Sequence, residues 1–174
     1  MFEINYEEST NQLMPEGEYE CVILSAYVNS TKSGKLYFSV RFAVRNDVPQ
    51  KYKNKNIFHA IWQRKPEKQT EDDKKVDGYS YKQLMSLCNA AGLPNKKSYK
   101  SLDDLGKDLE KKCVLVTVEH DTYNGETREK VQWTNQTNYP ECKHVFKATN
   151  PPLISADTDN SAADNEIDDG DLPF

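Results

Sequence analysis

The segment from Lys35 to Arg45 constrains the fold more than any other part of the chain. Apolar and mostly polar residues alternate along its eleven positions. The apolar positions are Leu36, Phe38, Val40, Phe42 and Val44. Period two over this length predicts a long strand with one face in the core and one face exposed. At about 3.3 Å per residue it spans roughly 36 Å, which requires curvature such as that of a barrel.

The rest of the chain supplies four further strands and two helices. Apolar patterning and turn signals predict strands over 17–29, 55–63, 113–121 and 127–134. Helical spacing predicts helices over 80–91, where Ser80 and Gln83 fit a capping box, and over 101–112. The charged stretch 64–78 is predicted to be a solvated, mobile loop.

This order of elements predicts a mainly β protein. We expect a five-stranded OB-fold barrel, with a helix and a short second helix between strands three and four. A generic α+β sheet with a helical layer remains the alternative. Residues 151–174 have no periodicity and are predicted to form a disordered acidic tail. The domain is then 1–150, and it begins with an acidic arm over 1–15.

The charges are segregated along the chain. Residues 151–174 carry seven acidic side chains and no Lys or Arg, and residues 1–20 carry six acidic side chains and no base. The stretch 21–150 therefore holds all 23 basic residues against 15 acidic ones. A basic centre between acidic ends predicts a body that binds a polyanion and a separate interaction tail.

The polar face of the alternating strand carries the strongest functional signal. It presents Lys35, Tyr37, Arg41 and Arg45. Aromatic rings stack on unpaired bases while cations contact phosphates, so this pattern predicts binding of single-stranded nucleic acid.

Neighbouring segments extend this predicted surface. Phe58 and Trp62 share one face of strand three, and the sequence leaves open which face of that strand is inward. Trp133 shares its parity with Val131, which predicts a core position. The further candidate contacts are Lys53, Lys55, Arg64, Lys65, Tyr123, Arg128 and Lys130.

Enzyme chemistry finds no support in the sequence. The three histidines have no partner at metal-ligand spacing, and the seven glycines occur singly. We therefore predict a protein that is not an enzyme and uses no metal or cofactor. The acidic start lacks a secretory signal and no apolar run is long enough to span a bilayer, so a cytoplasmic protein with four reduced cysteines is expected.

The final residues resemble a known docking peptide. Asp168, Asp169 and Asp171 precede Leu172, Pro173 and Phe174. This pattern resembles the acidic C-terminal tip of bacterial single-stranded DNA-binding proteins. The resemblance implies that the aromatic ring and the acids of the tip dock on replication and recombination proteins. A mobile chain that offers one apolar anchor and several charges suits such a role.

The body resembles a family of phage and prophage single-stranded DNA-binding proteins. The matching stretches are 14–23, the Lys32-Ser-Gly34 turn with its following strand, and 81–94. The resemblance implies an OB fold and a role in DNA replication, recombination or repair in a bacterial cytoplasm. A module for RNA or a protein partner is the alternative. Whether the protein is a homodimer stays open.

Overall fold

The computed structural model describes residues 13–146, and these residues form one five-stranded antiparallel sheet. Its neighbours lie in the order β3-β2-β1-β4-β5. The prediction of a mainly β protein with five strands is confirmed. The strands are β1 Gly17–Ser30, β2 Leu36–Val44, β3 Asn56–Trp62, β4 Cys113–Tyr123 and β5 Glu126–Gln136.

All the helical segments in this range connect β3 to β4. They are a 3-10 turn Pro66–Lys68, α1 Glu71–Lys74, α2 Tyr81–Ala90 and α3 Leu102–Leu109. Both predicted helices are thereby confirmed, and α2 and α3 bury their leucines against the sheet.

The central strand β1 pairs with two different strands over its two halves. Residues 17–22 pair with β4, and residues 21–30 pair with β2. A register shift between Ile23 and Ser25 leaves Leu24 as an extra residue in β1. Such a bulge bends the strand and reverses the alternation of its side chains. The bulge therefore lets one strand serve both halves of the sheet.

The inner face of β2 forms the centre of the core. Phe38, Val40, Phe42 and Val44 are fully buried, as the alternation predicts. From β1 and β4, Ile23 and Val116 join the same cluster. The apolar face of one long strand thus organises the packing of its neighbours.

Helix α3 approaches β1 so closely that only glycine fits at the contact. A Cβ atom on Gly106 would lie 1.9 Å from the carbonyl oxygen of Ala26. Two residues further along β1, the amide of Val28 donates to Asp103 Oδ1 at 2.9 Å. The helix begins at Ser101, whose side chain accepts from the Asp104 amide.

The segment 64–78 differs from the prediction of a solvated, mobile loop. It contains two helical turns, and its Asp73 side chain is buried. Asp73 forms a capping box with Thr70, and Asp73 Oδ1 also accepts from the amide of Tyr81 at 2.9 Å. These hydrogen bonds hold the Asp73 pKa below its usual value. The predicted capping box at Ser80 is wrong, because the Ser80 side chain makes no cap hydrogen bond. Asp73 accepts from the first amide of α2 instead.

Arg45 is a predicted nucleic-acid contact that the structure places in the interior. Its side chain is completely buried and forms a bidentate ion pair with Asp47, with N–O distances of 2.9 and 2.6 Å. The guanidinium also donates to Thr137 Oγ1 and to the carbonyl oxygens of Tyr139 and Glu141. The prediction for Arg45 is wrong because the chain after β5 returns to the end of β2. There its oxygen atoms accept hydrogen bonds from the guanidinium, which is buried.

Glu20 on β1 also binds the same returning segment. Its carboxylate accepts from the Thr137 hydroxyl and from the amide of Asn138. Asp47 Oδ2 accepts from the amide of Lys143 at 2.7 Å. Buried charges need this degree of pairing, so the segment after β5 is part of the folded domain.

We predict that Gly106→Ala lowers the free energy of unfolding by about 3 kcal/mol, since the new methyl group meets a backbone oxygen that cannot move alone. Urea unfolding measures the change. The control is Lys107→Ala on the exposed side of the same helix turn, which is expected to leave stability nearly unchanged. Equal stability of the two variants would contradict the close contact.

We predict that the Arg45–Asp47 pair makes stability depend on acid. The Arg45 hydrogen bonds lower the Asp47 pKa from 3.8 to about 2. The Asp47 pKa is lower in the folded protein than in the unfolded chain. The pair therefore contributes roughly 2 kcal/mol to the free energy of unfolding above pH 4, and this contribution is lost as pH falls through 2.

Asp47→Asn tests this dependence through urea unfolding at a series of pH values. The variant should be less stable than the wild type at neutral pH, because it leaves a buried guanidinium without its counter-charge. The difference should shrink as the pH falls toward 2. Asp72→Asn, which changes an exposed carboxylate, is the control. A difference for Asp47→Asn that does not vary with pH would refute the prediction.

Candidate nucleic-acid interface

The side of the sheet opposite the core carries a group of aromatic residues. Tyr27 on β1, Tyr37 and Arg41 on β2, and Phe58 and Trp62 on β3 share this side by strand register. We name these five residues the aromatic face. Because neighbouring strands bring side chains on one face within about 5 Å, residues distant in sequence meet here.

The structure resolves which face of β3 is inward. Ile57 and Ile61 are buried in the core, and His59 lies between them. Phe58 and Trp62 therefore point to the opposite side, and Phe58 is 52% exposed. Burial and nearby Lys130 lower the His59 pKa to about 4, so His59 is neutral at neutral pH.

Tyr37 differs from the prediction of an exposed stacking ring. It is 1% exposed. Trp62 lies directly across from it in register, and the two ring centroids are 4.8 Å apart at an interplanar angle of 41°. The strand alternation is right, but the Tyr37 ring is buried and packs against a bulky neighbour on the next strand. Trp62 is the half-exposed member of the pair.

Arg41 lies directly across from Phe58 and is half-buried. Its Nε atom is buried and has no hydrogen-bond partner among the residues that the structure describes. An unsatisfied buried donor costs about 1–3 kcal/mol, so an acceptor supplied by a ligand would relieve this cost. Phe58 and Arg41 thus combine an exposed ring with a cationic side chain whose buried Nε has no hydrogen-bond partner among the described residues.

The other predicted cations form two groups. Lys35, Lys53, Arg64 and Lys65 are exposed in the segments that flank β2 and β3. Arg64 Nη1 lies 3.7 Å from Asp73. These four residues therefore border the strands that carry most of the aromatic face.

The second group lies on the β4–β5 hairpin. Arg128 lies over the ring of half-buried Tyr123, with 5.7 Å from its Cζ to the ring centroid, and 3.5 Å from Glu126. Lys130 is exposed on β5. Lys55 at the start of β3 reaches this hairpin through Glu129, at an Nζ–Oε1 distance of 3.7 Å. The ion pair connects the two groups of predicted contacts.

Two exposed aromatic residues differ from the sequence-based expectation. The sequence does not mark Tyr27 as a candidate contact and predicts a core position for Trp133, yet the two residues are 37% and 56% exposed. A bulge places Gln132 as an extra residue between Val131 and Trp133, which reverses their shared parity. The bulge at Leu24 likewise reverses the alternation of side chains in the part of β1 that contains Tyr27. No pattern in the sequence marks either bulge.

The predicted partner-binding residues Asp168, Asp169, Asp171, Leu172, Pro173 and Phe174 lie outside the described residues. Among residues 13–146, no three His, Cys, Asp or Glu side chains are grouped so that they could hold a metal ion. No helix in this part of the chain is long and apolar enough to cross a membrane. The cysteines at 21, 88, 113 and 142 are free thiols.

Comparison with known proteins gives a family but no activity. No curated protein matches the chain. A family model described as a protein of unknown function, DUF669, matches residues 2–151. That match covers the whole described sheet, its helices and the aromatic face, and the chain therefore belongs to the DUF669 family.

Proposed function

We propose that the protein binds single-stranded DNA with little sequence preference on the aromatic face. The observation that carries the proposal is the adjacent pair of Phe58, which is 52% exposed, and Arg41, whose buried Nε has no partner in the described part of the chain. A base stacks on any exposed ring because every base has a π face, and a guanidinium donates to base or phosphate oxygens. Binding without turnover needs no catalytic group, metal or cofactor.

We also propose that the sheet is an OB-fold barrel. Its order places β3 and β5 at the two edges, and the Lys55–Glu129 ion pair joins these edges. The helices connect β3 to β4, which suits the five-stranded OB architecture. In that fold the face of strands two and three binds oligonucleotides, and most of the aromatic face lies on those strands.

The charge distribution supports a polyanionic ligand. The stretch 21–150 holds all the basic residues of the chain, and Lys35, Lys53 and Lys65 are exposed beside the aromatic face. Cations that follow a phosphate backbone supply much of the affinity of nonspecific binding. The proposed setting is DNA replication, recombination or repair in a bacterial cytoplasm, including that of a phage host.

Residues 151–174 have a separate role in this proposal. Their seven acids can compete with DNA for the basic surface, and Leu172, Pro173 and Phe174 can anchor a partner protein. DNA binding would then release the acidic segment for partners. The resemblance to the acidic tip of bacterial single-stranded DNA-binding proteins supports the same role.

We predict that Phe58→Ala and Arg41→Ala each weaken binding to oligothymidylate about 10-fold, because stacking contributes roughly 1–3 kcal/mol per base and Arg41 supplies a charged donor. Fluorescence anisotropy of a labelled oligonucleotide measures the affinity. Trp133→Ala, which removes an exposed ring from β5, should leave the affinity unchanged.

Unchanged affinity of both Phe58→Ala and Arg41→Ala for oligothymidylate would refute the assignment of the aromatic face as the binding surface. Equal binding of RNA and DNA of the same sequence would favour the alternative of an RNA-binding module. Binding to neither nucleic acid would favour a module for a protein partner.

We predict that deletion of residues 151–174 tightens binding of single-stranded DNA at low salt, because it removes seven negative charges that compete with phosphate. The gain should disappear at high salt, where such competition is screened. Anisotropy titrations of both chains over a salt series measure it. A gain of the same size at every salt concentration would contradict electrostatic competition.

A further inference from the structure

The aromatic face has a gap at its centre, where two adjacent small residues replace large ones. Ser39 on β2 and Ala60 on β3 are direct partners in register, and both are half-exposed. The row before them in β3 contains Phe58 and Arg41, and the row after them contains Trp62 and Tyr37. The two small side chains therefore lie between two rows of larger side chains, and we name this position the slot.

The third side of the slot is bounded by β1. Tyr27 is the register partner of Ser39 and is 37% exposed. None of the residues that form these three rows on β1, β2 and β3 carries a negative charge. The slot thus has aromatic borders, two small residues at its centre and one cationic donor, Arg41, at its edge.

The length of the slot matches a short stack of bases. Phe58 and Trp62 are four residues apart on one strand, so about 13 Å separates their Cα atoms at ~3.3 Å per residue. Stacked bases follow one another at about 3.4 Å. Half the thickness of each ring, about 1.7 Å, lies within this span, so roughly 10 Å remains, which is room for about three bases.

We infer that the Ser39–Ala60 slot receives unpaired bases between Phe58 and Trp62, and that Ser39 and Ala60 must stay small for this reason. The inference rests on the proposed function and deepens it, because it assigns a base-binding role to residues that have no stacking or charged group. Bases in a duplex are already stacked and paired, so the slot selects single strands. If ligand binding turns the Arg41 side chain outward, its buried and unpartnered Nε can donate to a base or phosphate oxygen.

The test compares substitutions that fill the slot or leave it open. Ala60→Leu fills it without removing a ring or a cation, whereas Ala60→Gly leaves it open. Both variants are made in a Trp133→Phe background, so that Trp62 is the sole tryptophan of the chain. Thr117→Leu is the control that places a leucine on β4, opposite Glu18 and Trp133 and away from the slot.

The probes are oligothymidylate and an abasic strand of the same length. Ala60→Leu is expected to weaken binding to oligothymidylate by about 10-fold or more, because stacked bases are excluded. Its binding to the abasic strand should be unchanged, since the phosphate contacts remain. Ala60→Gly and Thr117→Leu should bind both probes as the background protein does.

Three results would refute the base-binding role of the slot. The first is that Ala60→Leu binds oligothymidylate as tightly as the background protein does, and the second is that it loses the same affinity for both probes. The third is that Ala60→Gly loses as much affinity as Ala60→Leu, which would indicate damage to the strand. Failure of the proposed function looks different, because the background protein would then bind oligothymidylate no better than the abasic strand, or neither probe.

Discussion

The buried guanidinium of Arg45 holds together parts of the chain that are far apart in sequence. It pairs with Asp47 at the end of β2 and donates to carbonyl oxygens at 139 and 141, beyond the last strand. Removing a charge of this kind from water is costly, and several hydrogen bonds must offset the cost. The segment after β5 is therefore held against the end of β2.

The two sides of the sheet differ in composition, and burial explains the composition of only one of them. The core side is filled by apolar residues of β1, β2 and β4 and by the leucines of α2 and α3, so its composition follows from burial alone. The opposite side combines exposed Phe58 with Arg41, whose buried donor has no partner within the described residues. Stability does not account for such an arrangement, which is why the proposed ligand site lies there.

Sequence patterning predicts the strands and helices well, because each depends on local periodicity. The buried face of β2 and both longer helices are where the pattern places them. The errors have non-local causes. Trp133 is exposed because of a bulge at Gln132, and Arg45 is buried by a segment some 90 residues later. Tyr37 is buried and packs against Trp62 on a neighbouring strand. Alternation along one strand cannot reveal any of these, since each depends on how separate strands meet.

The divided pairing of β1 also determines the order in which the chain can fold. Its second half pairs with β2 directly after it, but its first half pairs with β4, where Gly17 meets Val118 about a hundred residues later. Contacts of such separation form slowly, because a long loop must close first. During synthesis the first half of β1 keeps an unpaired edge until β4 has emerged. The β4–β5 hairpin, with left-handed Asn124 and Gly125 at its turn, is then the local element that completes the sheet.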